Sequence, residues 1–292
     1  MKIGKHVSAR LSSIRVIAVN KKIIVGLSIF LFFIIAALFA PLKAPYNVMQ
    51  IGMFEKNLPP SSSHPLGTDI YGRDIADQLI VGLRNSLLIG MLAGAAGTVI
   101  GLIFGLLAGY KGGLTDHIIR SVTDSFLVVP TWPLLILIAA YLRTLSITDM
   151  ALIIAAFSWP WSTRTIRAQT LSWKEREFVK LAKVNNLSDF EIAFREILPN
   201  MLPYIGVIFG SSVTSAMATE AALELIGIGP TNISTLGRIL QQSFYFGALA
   251  RGMYWWFFPP VICLIAIFIS LQLINMGLDE VYNPRLKKIT GM

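Results

Sequence analysis

Charged residues are scarce in this chain. Only 14% of its 292 residues are charged and 54% are hydrophobic, whereas soluble globular proteins carry roughly a quarter charged residues. The mean hydropathy of +0.66 agrees. No fold could hide this apolar surplus from water, so the composition excludes a soluble globule and makes lipid part of the solvent.

Residues that carry chemistry are also few. The single cysteine, Cys263, lies in an apolar run and excludes an internal disulfide, and the three histidines are scattered along the chain. No Cys/His cluster has metal-ligand spacing, and no G-x-x-x-x-G-K-[ST] loop is present to hold a nucleotide phosphate. The sequence therefore predicts no catalytic residue, bound cofactor or metal site of its own.

Long apolar runs predict an all-α integral membrane protein. A helix needs about 20 apolar residues to cross the hydrocarbon, where backbone groups must be paired internally. Six runs qualify, and they cover residues 23–42, 86–110, 126–142, 148–163, 202–225 and 254–276. Pro130 and Pro133 interrupt the third, and Pro160 lies in the fourth. The first is longer than the core of a secretion signal, so we interpret it as an uncleaved span.

The basic residues orient these spans. The net charge is +9, and eighteen of the 25 lysines and arginines fall on one side of the six spans. Because such residues concentrate in cytoplasmic segments, both termini are predicted to be cytoplasmic. The chain then divides into a basic tail (1–22), the first span, an external segment (43–85), a core of five helices (86–276) with a cytoplasmic loop at 164–201, and a C-terminal tail (277–292).

Glycines recur every fourth residue along the second span. They are Gly97, Gly101, Gly105 and Gly109, preceded by Gly90 and Gly94. This spacing lets helices approach closely in lipid. We interpret it as packing within the chain's own bundle; a subunit interface or a sliding surface is the alternative.

Two carboxylates near the outer end of the fifth span, Glu220 and Glu224, are candidate pathway or gate residues. Ionisable groups inside a membrane often mark a pathway, so an ion-coupled secondary carrier using Glu220 is one hypothesis. Gly227 and Gly229 indicate that the helix ends here, which favours a pair that braces the helix end. The internal repeats typical of carriers are not apparent.

The cytoplasmic loop 164–201 has the pattern of two short helices. Ser172 with Glu175, and Ser188 with Glu191, fit the S-x-x-E capping box. An apolar stripe with helical spacing follows the second box and consists of Phe190, Ala193, Phe194, Ile197 and Leu198. Such helices either pack beneath the membrane or lie in a groove of a partner protein and transmit its movements, and the pattern fits both.

This loop resembles the cytoplasmic EAA loop of permease subunits in binding-protein-dependent ABC importers. The residues that carry the resemblance are Arg176, Glu177, Phe178, Ala182, Asn186, Ser188, Arg195, Glu196, Leu198 and Pro199. Three more motifs resemble the dipeptide, oligopeptide and nickel branch. They are an external signature (His64, Gly67, Thr68, Asp69, Gly72, Arg73 and Asp74), residues 219–222 with Gly227 and Gly229, and residues 283–286. The chain is most similar to the second permease of the pair.

Two loop residues depart from the family pattern. Asn186 stands where the family usually has glycine, and because asparagine tolerates left-handed backbone, we expect the turn to survive. Glu196 stands where this branch usually has histidine. Our hypothesis is that the altered charge tunes pairing with a particular ATPase.

The resemblance implies a type I ABC importer permease in the cytoplasmic membrane, without enzymatic activity. Such a chain forms half of a translocation pathway with a paralogous permease, and two cytoplasmic ATPases that bind ATP and Mg drive it. Glu177, Ala182, Asn186 and the stripe from Phe190 to Leu198 would dock into an ATPase groove. An external solute-binding protein would deliver the substrate above residues 43–85, and no nucleic acid is expected as a partner.

The substrate and the role of the external signature stay open. The branch handles di- or oligopeptides most often, and nickel or oligosaccharides in other members, so peptides are the expectation. Asp69, Arg73 and Asp74 form either a self-contained salt-bridged turn, which we prefer, or a docking contact for the binding protein. A nonselective pore fits poorly with the patterned loop.

Overall fold

A computed structural model describes residues 20–44, 46–142 and 145–282, and the regular elements in these ranges are helices. The only extended pairing in these ranges is one bridge between Thr68 and Asp74. The helices are α1 (Lys21–Leu38), α2 (Ala40–Lys43), α3 (Ile75–Lys111), α4 (Gly113–Val128), α5 (Thr131–Tyr141), α6 (Ile147–Lys174), α7 (Glu177–Val184), α8 (Asp189–Glu191), the π-helix π1 (Ile192–Ile197), α9 (Leu198–Leu225), α10 (Leu236–Tyr245) and α11 (Tyr254–Tyr282).

Four helical stretches of the described chain are long and apolar enough to cross a membrane. They are α1, α3, the continuous run Asp189–Leu225 and most of α11, over Tyr254–Val281. The last three contain the predicted second, fifth and sixth spans, and α1 covers the predicted first span as far as Leu38. The membrane prediction from composition is therefore confirmed.

The other two predicted spans are different in the structure. The third is a pair of helices, Gly113–Val128 and Thr131–Ile138, bent by 79°, because a proline disfavours helical backbone at the residue before it and Pro130 follows Val129. The fourth lies inside α6. This helix is too polar to be counted among the membrane-crossing helices, because polar residues occupy its second half. The described helices thus give four spans, or five if the bent pair is one, rather than six.

Several helices extend beyond the predicted spans. Helix α3 begins at Ile75 instead of residue 86, since Asp74 caps it and its side chain accepts a hydrogen bond from the backbone N–H of Asp77. The external segment 43–85 therefore ends inside a helix. Helix α11 extends to Tyr282, so the predicted tail at 277–292 begins as helix.

The glycines of α3 are contact points for two neighbouring helices. Gly97, Gly101, Gly105 and Gly109 lie in turn against Ser158, Ser162, Ile166 and Thr170 of α6, which therefore runs parallel to α3. Gly90 and Gly94 lie against Met217 and Val213 of α9, which runs antiparallel. A Cβ atom at these positions would collide with the facing helix, so the bundle-packing interpretation of the stripe is confirmed.

The first and last spans pack antiparallel to each other. Gly26 of α1 lies against Ser270 and Ile274, and Gly277 of α11 lies against Ile23. Lys22 at the start of α1 forms an ion pair with Glu280 near the end of α11, which places these two helix ends on one side of the bundle. The basic tail before residue 20 and the motif 283–286 lie outside the described residues, so the cytoplasmic placement of the termini stays a prediction.

Candidate functional site

The loop after α6 forms a compact element that we call the connecting hairpin, residues 177–198. It begins later than predicted, because α6 continues through Ser172 to Lys174 and Glu175 only ends it. The first capping box is therefore wrong, and Arg176 precedes α7 without a side-chain cap. The reason is tertiary. Thr170 packs on Gly109 of α3, so this part of α6 stays helical although the capping-box pattern at Ser172 would start a new helix.

The second capping box is confirmed. The Ser188 hydroxyl accepts a hydrogen bond from the backbone N–H of Glu191 at 3.3 Å, and the Glu191 carboxylate accepts one from the backbone N–H of Ser188 at 3.1 Å. These two bonds satisfy amides that a helix N-terminus otherwise leaves unpaired.

The turn at Asn186 also has the expected backbone. Its φ is +55°, in the left-handed region that glycine and asparagine tolerate. The backbone N–H of Leu187 donates to the Ala182 carbonyl at 3.2 Å, and that of Asn186 donates to the Lys183 carbonyl at 3.0 Å. This is the hydrogen-bond pattern of a Schellman motif, so asparagine preserves the turn between α7 and α8.

The predicted apolar stripe is split between two environments. Ala193 and Ile197 are buried in a cluster of the chain's own side chains, whereas Phe190 and Phe194 are 69% and 43% exposed. The cause is π1, whose wider turn shifts the spacing that a regular α-helix would have kept. The two phenyl rings lie 4.4 Å apart at their centroids and form an exposed aromatic pair.

The other predicted loop residues differ in their exposure. Ala182 is buried by the chain itself, which removes it from the surface. The exposed ones are Arg176, Glu177, Asn186, Ser188 and Arg195, and the half-buried ones are Phe178, Glu196, Leu198 and Pro199. The surface available to a partner is thus smaller than the predicted set and includes the aromatic pair.

The inner side of the connecting hairpin is fixed to three long helices. Tyr110 of α3 donates a hydrogen bond to Asp189 at 2.9 Å. A buried cluster joins Val179 of α7 and Ile192 of π1 to Ile166 of α6 and Met201 of α9. Because π1 also runs directly into α9, the hairpin is attached to the ends of α3, α6 and α9 that lie next to it. Sequence reasoning missed Tyr110, for which the sequence carries no local signal.

The external signature forms a buried turn before α3. The Asp69 carboxylate accepts hydrogen bonds from Arg73 Nε at 2.6 Å, Gln78 Nε2 at 3.1 Å and the backbone N–H of Tyr71 at 2.8 Å. Arg73 in turn donates to Gln242 of α10 at 2.7 Å. Asp69 and Arg73 are 0% and 3% exposed, so this pair is structural and deeply buried rather than an exposed ion pair.

The remaining signature residues complete the turn. His64 Nδ1 lies 2.6 Å from Asp74 Oδ2, and Thr68 Oγ1 donates to the carbonyl of Glu55 at 2.6 Å. Gly67 and Gly72 have φ of +66° and +70°, and a Cβ on either would collide with a carbonyl oxygen, at Leu58 or Phe54. Seven signature residues therefore specify one backbone shape.

Tyr46 ties the segment before this turn to α3. It hydrogen-bonds the Asp77 carboxylate, and burial together with that carboxylate raises the pKa of Tyr46 above its usual value. The phenol is thus a neutral donor at physiological pH.

The carboxyl pair near the end of α9 is fully buried. Ser86 of α3 donates to Glu220 at 3.0 Å and accepts from the backbone N–H of Leu236 at 3.0 Å. Thr235, the N-cap of α10, hydrogen-bonds Glu224. The pair therefore holds the 226–236 loop and α10 against α3 and α9, as the bracing interpretation expects, and lies within packed protein.

Comparisons with known proteins agree on one family. A family model described as binding-protein-dependent transport system inner membrane component matches residues 101–288, and one described as the N-terminal TM domain of oligopeptide transport permease C matches residues 13–60. The chain is 31% identical to the oligopeptide transport system permease protein OppC of Bacillus subtilis (strain 168), over 92% of this chain and 87% of that one. It is 28% identical to the dipeptide transport system permease protein DppC of the same organism, over 92% and 83%.

One solved structure has the same fold. A chain of the MetNI methionine ABC transporter in inward-facing conformations superposes with a TM-score of 0.56 at 19% identity, covering 70% of this chain and 96% of that chain. At this identity the likeness concerns the helical architecture alone, and it confirms the expected fold class.

Proposed function

The chain belongs to the family of binding-protein-dependent transport system inner membrane components, and from this premise we propose that it is the permease subunit of an ATP-driven importer of di- or oligopeptides. It is a multi-pass membrane protein of a transport family. The observation that carries the proposal is the connecting hairpin, which presents two exposed phenylalanines while its other side is fixed to the bundle.

The hairpin supports docking on a cytoplasmic ATPase subunit. A protein rarely leaves a pair of contacting aromatic rings in water, and large aromatic side chains dominate the energetics of protein interfaces. Phe190 and Phe194 are exposed and contact each other, so together they could fill an apolar groove of a partner. Their exposure, together with the continuous helical run from α8 into α9, supports a lever that transmits partner movement to the spans.

The remaining subunits follow from the family. We propose that a paralogous permease completes the pathway, that two ATPases bind ATP and Mg and hydrolyse the nucleotide, and that an external solute-binding protein docks over residues 43–85. This chain then binds no cofactor and catalyses no reaction. The membrane would be the cytoplasmic membrane, with the lysine- and arginine-rich loops on its cytoplasmic side.

Peptides are the substrate best supported. The relatives named above are oligopeptide and dipeptide permeases, whereas oligosaccharide or nickel transport has no support beyond the branch as a whole. Equilibrium binding of a short peptide to the cognate external protein tests this assignment separately from the architecture.

Replacing both aromatic residues, Phe190→Ala with Phe194→Ala, is expected to weaken ATPase binding by about 2 kcal/mol, close to thirtyfold, because truncated anchors leave the partner groove unfilled. Copurification of the ATPase and ATP-dependent peptide uptake measure the effect. Phe244→Ala is the matched control, since Phe244 is 72% exposed but lies on α10, away from the hairpin. Full ATPase retention and uptake by the double variant would contradict the proposal.

The same measurements separate this proposal from an ion-coupled carrier. A carrier would take up solute without an ATPase and would depend on Glu220. Uptake that persists when ATP hydrolysis is blocked would exclude the importer.

Glu196→His is expected to change coupling to the cognate ATPase several-fold. Glu196 is half-buried in π1 next to the exposed Arg195, so the substitution alters charge at the docking surface. The ratio of peptide transported to ATP hydrolysed measures coupling, and an unchanged ratio removes the hypothesis that Glu196 tunes partner choice.

A further inference from the structure

A cavity of about 220 Å³ lies between α4 and α6 and is not used by the proposed function. Because a water molecule occupies about 30 Å³ of liquid, this volume holds several waters or one phosphate group. The lining is polar and basic, and consists of Ile119, Arg120, Thr123, Asp124, Thr163, Arg164 and Arg167.

The charges around the cavity are not balanced. Arg120 pairs with Asp124 at 3.5 Å, and Arg167 Nη2 donates to Asp116 at 2.6 Å. Arg164 is exposed and forms no ion pair with any residue that the structure describes. Three guanidinium groups and two carboxylates leave one positive charge, which matches the single negative charge of a phosphodiester.

A buried hydroxyl in the wall also lacks a partner. Thr163 is 1% exposed, and its Oγ1 makes no hydrogen bond within the described part of the chain. An unsatisfied buried polar group is costly, and this one adjoins the unpaired arginine in sequence. A ligand that brings acceptor oxygens into the cavity would supply the partner that the exposed Arg164 guanidinium lacks among the described residues, whereas the Thr163 hydroxyl stays covered by packed helices.

The surroundings of the cavity favour a lipid as the source of that phosphate. Ile118 and Val122 of α4 and Trp161 of α6 lie close in sequence to the lining residues and are 53%, 45% and 64% exposed. Free phosphate gains nothing from apolar surface, whereas acyl chains cover it. Tryptophan is enriched at the membrane interface, and basic pockets between spanning helices bind anionic headgroups.

We propose that this cavity binds the phosphodiester headgroup of an anionic phospholipid, with Arg164 as the principal charged contact and the acyl chains lying along α4 and α6. The site belongs to this chain's own helices. It requires neither an ATPase nor a transported peptide, so its test is independent of the proposed function.

The test measures ligand-dependent stability of the full chain, in whatever complex copurifies with it in detergent. Short-chain phosphatidylglycerol is titrated while Tm is followed, because a ligand that binds the native state raises Tm in a saturable manner. Short-chain phosphatidylcholine and inorganic phosphate are the parallel titrations. Arg164→Gln and Arg164→Glu are the test variants, and Lys111→Gln, which removes another exposed basic residue at the end of α3, is the control.

Phosphatidylglycerol is expected to raise Tm saturably in the unaltered chain and in Lys111→Gln. Arg164→Gln should shift the midpoint concentration about five-fold upward, and Arg164→Glu should abolish saturation. The proposal is overturned by equal stabilisation from both lipids, by midpoints that do not depend on Arg164, or by inorganic phosphate acting at the same concentration as the lipid, which would identify a free-phosphate site. Absence of any effect in the assembled complex would overturn it as well.

Discussion

Replacing Asp69 with alanine is expected to lower the free energy of unfolding by about 3–5 kcal/mol, because the Arg73 guanidinium would stay buried without its charge partner. Asp69 and Arg73 are almost inaccessible to solvent, and the Asp69 carboxylate also accepts bonds from Gln78 and from two backbone amides. Thermal unfolding in detergent, or the folded yield after extraction, measures the loss.

The matched comparison is another i, i+4 Asp/Arg pair, which lies on the surface. Arg120 and Asp124 are 3.5 Å apart and their side chains are 63% and 49% exposed. Asp124→Ala should therefore cost about 0–1 kcal/mol, as exposed ion pairs usually do.

Removing both Asp69 and Arg73 distinguishes the cost of an unpaired buried charge from the cost of losing the other hydrogen bonds of the turn. The double variant Asp69→Ala with Arg73→Ala should recover part of the loss, since no unpaired charge stays buried. A small effect of Asp69→Ala alone, comparable to that of Asp124→Ala, would show that the signature turn does not depend on the buried pair.

Gly101→Ala is expected to destabilise the bundle by about 3 kcal/mol. Its Cβ would lie 2.9 Å from the carbonyl carbon of Ser162 and from the backbone nitrogen of Thr163. Backbone atoms cannot rotate away as a flexible side chain can, so α3 and α6 would have to separate, and overpacking of this kind costs about 1–3 kcal/mol. The apparent Tm of the detergent-solubilised chain reports the change.

Gly206→Ala is the control for helix propensity. Gly206 also lies within a spanning helix, α9, but its Cβ would meet only Leu278, at 3.6 Å. The substitution should be neutral or slightly stabilising, because alanine is favoured over glycine in helices by about 1 kcal/mol. If both variants behaved alike, close contact between α3 and α6 could not be what the glycine stripe provides.

The Asp69–Arg73 pair and the helix contact at Gly101 indicate which parts of the molecule can move together. The close α3–α6 contact makes the two helices one unit, and the connecting hairpin is attached to that unit at Tyr110 and Ile166. At the opposite end, Arg73 joins the start of α3 to α10 through Gln242. A partner that displaces the hairpin would therefore move a body that reaches the external signature, which is the property that a coupled permease requires.

The sequence by itself determined the features that depend on composition or on neighbouring residues. The apolar runs fixed the membrane class and four spans, because the cost of unpaired backbone in lipid needs no knowledge of packing. The Ser188 capping box and the left-handed turn at Asn186 follow from hydrogen bonds within a few residues. The glycine repeat likewise predicted close helix packing, although not which helix would pack there.

Only the tertiary structure decided what depends on contacts between distant residues. Because α6 packs against α3, it continues beyond the predicted helix start at Ser172. The π-helical turn π1 leaves Phe190 exposed and Ile197 buried. Arg73 meets Gln242 across 169 positions, and Glu220 meets Ser86 across 134. No local pattern specifies such partners, because the free energy that selects them comes from burial and complementary charge that exist only once the helices have assembled.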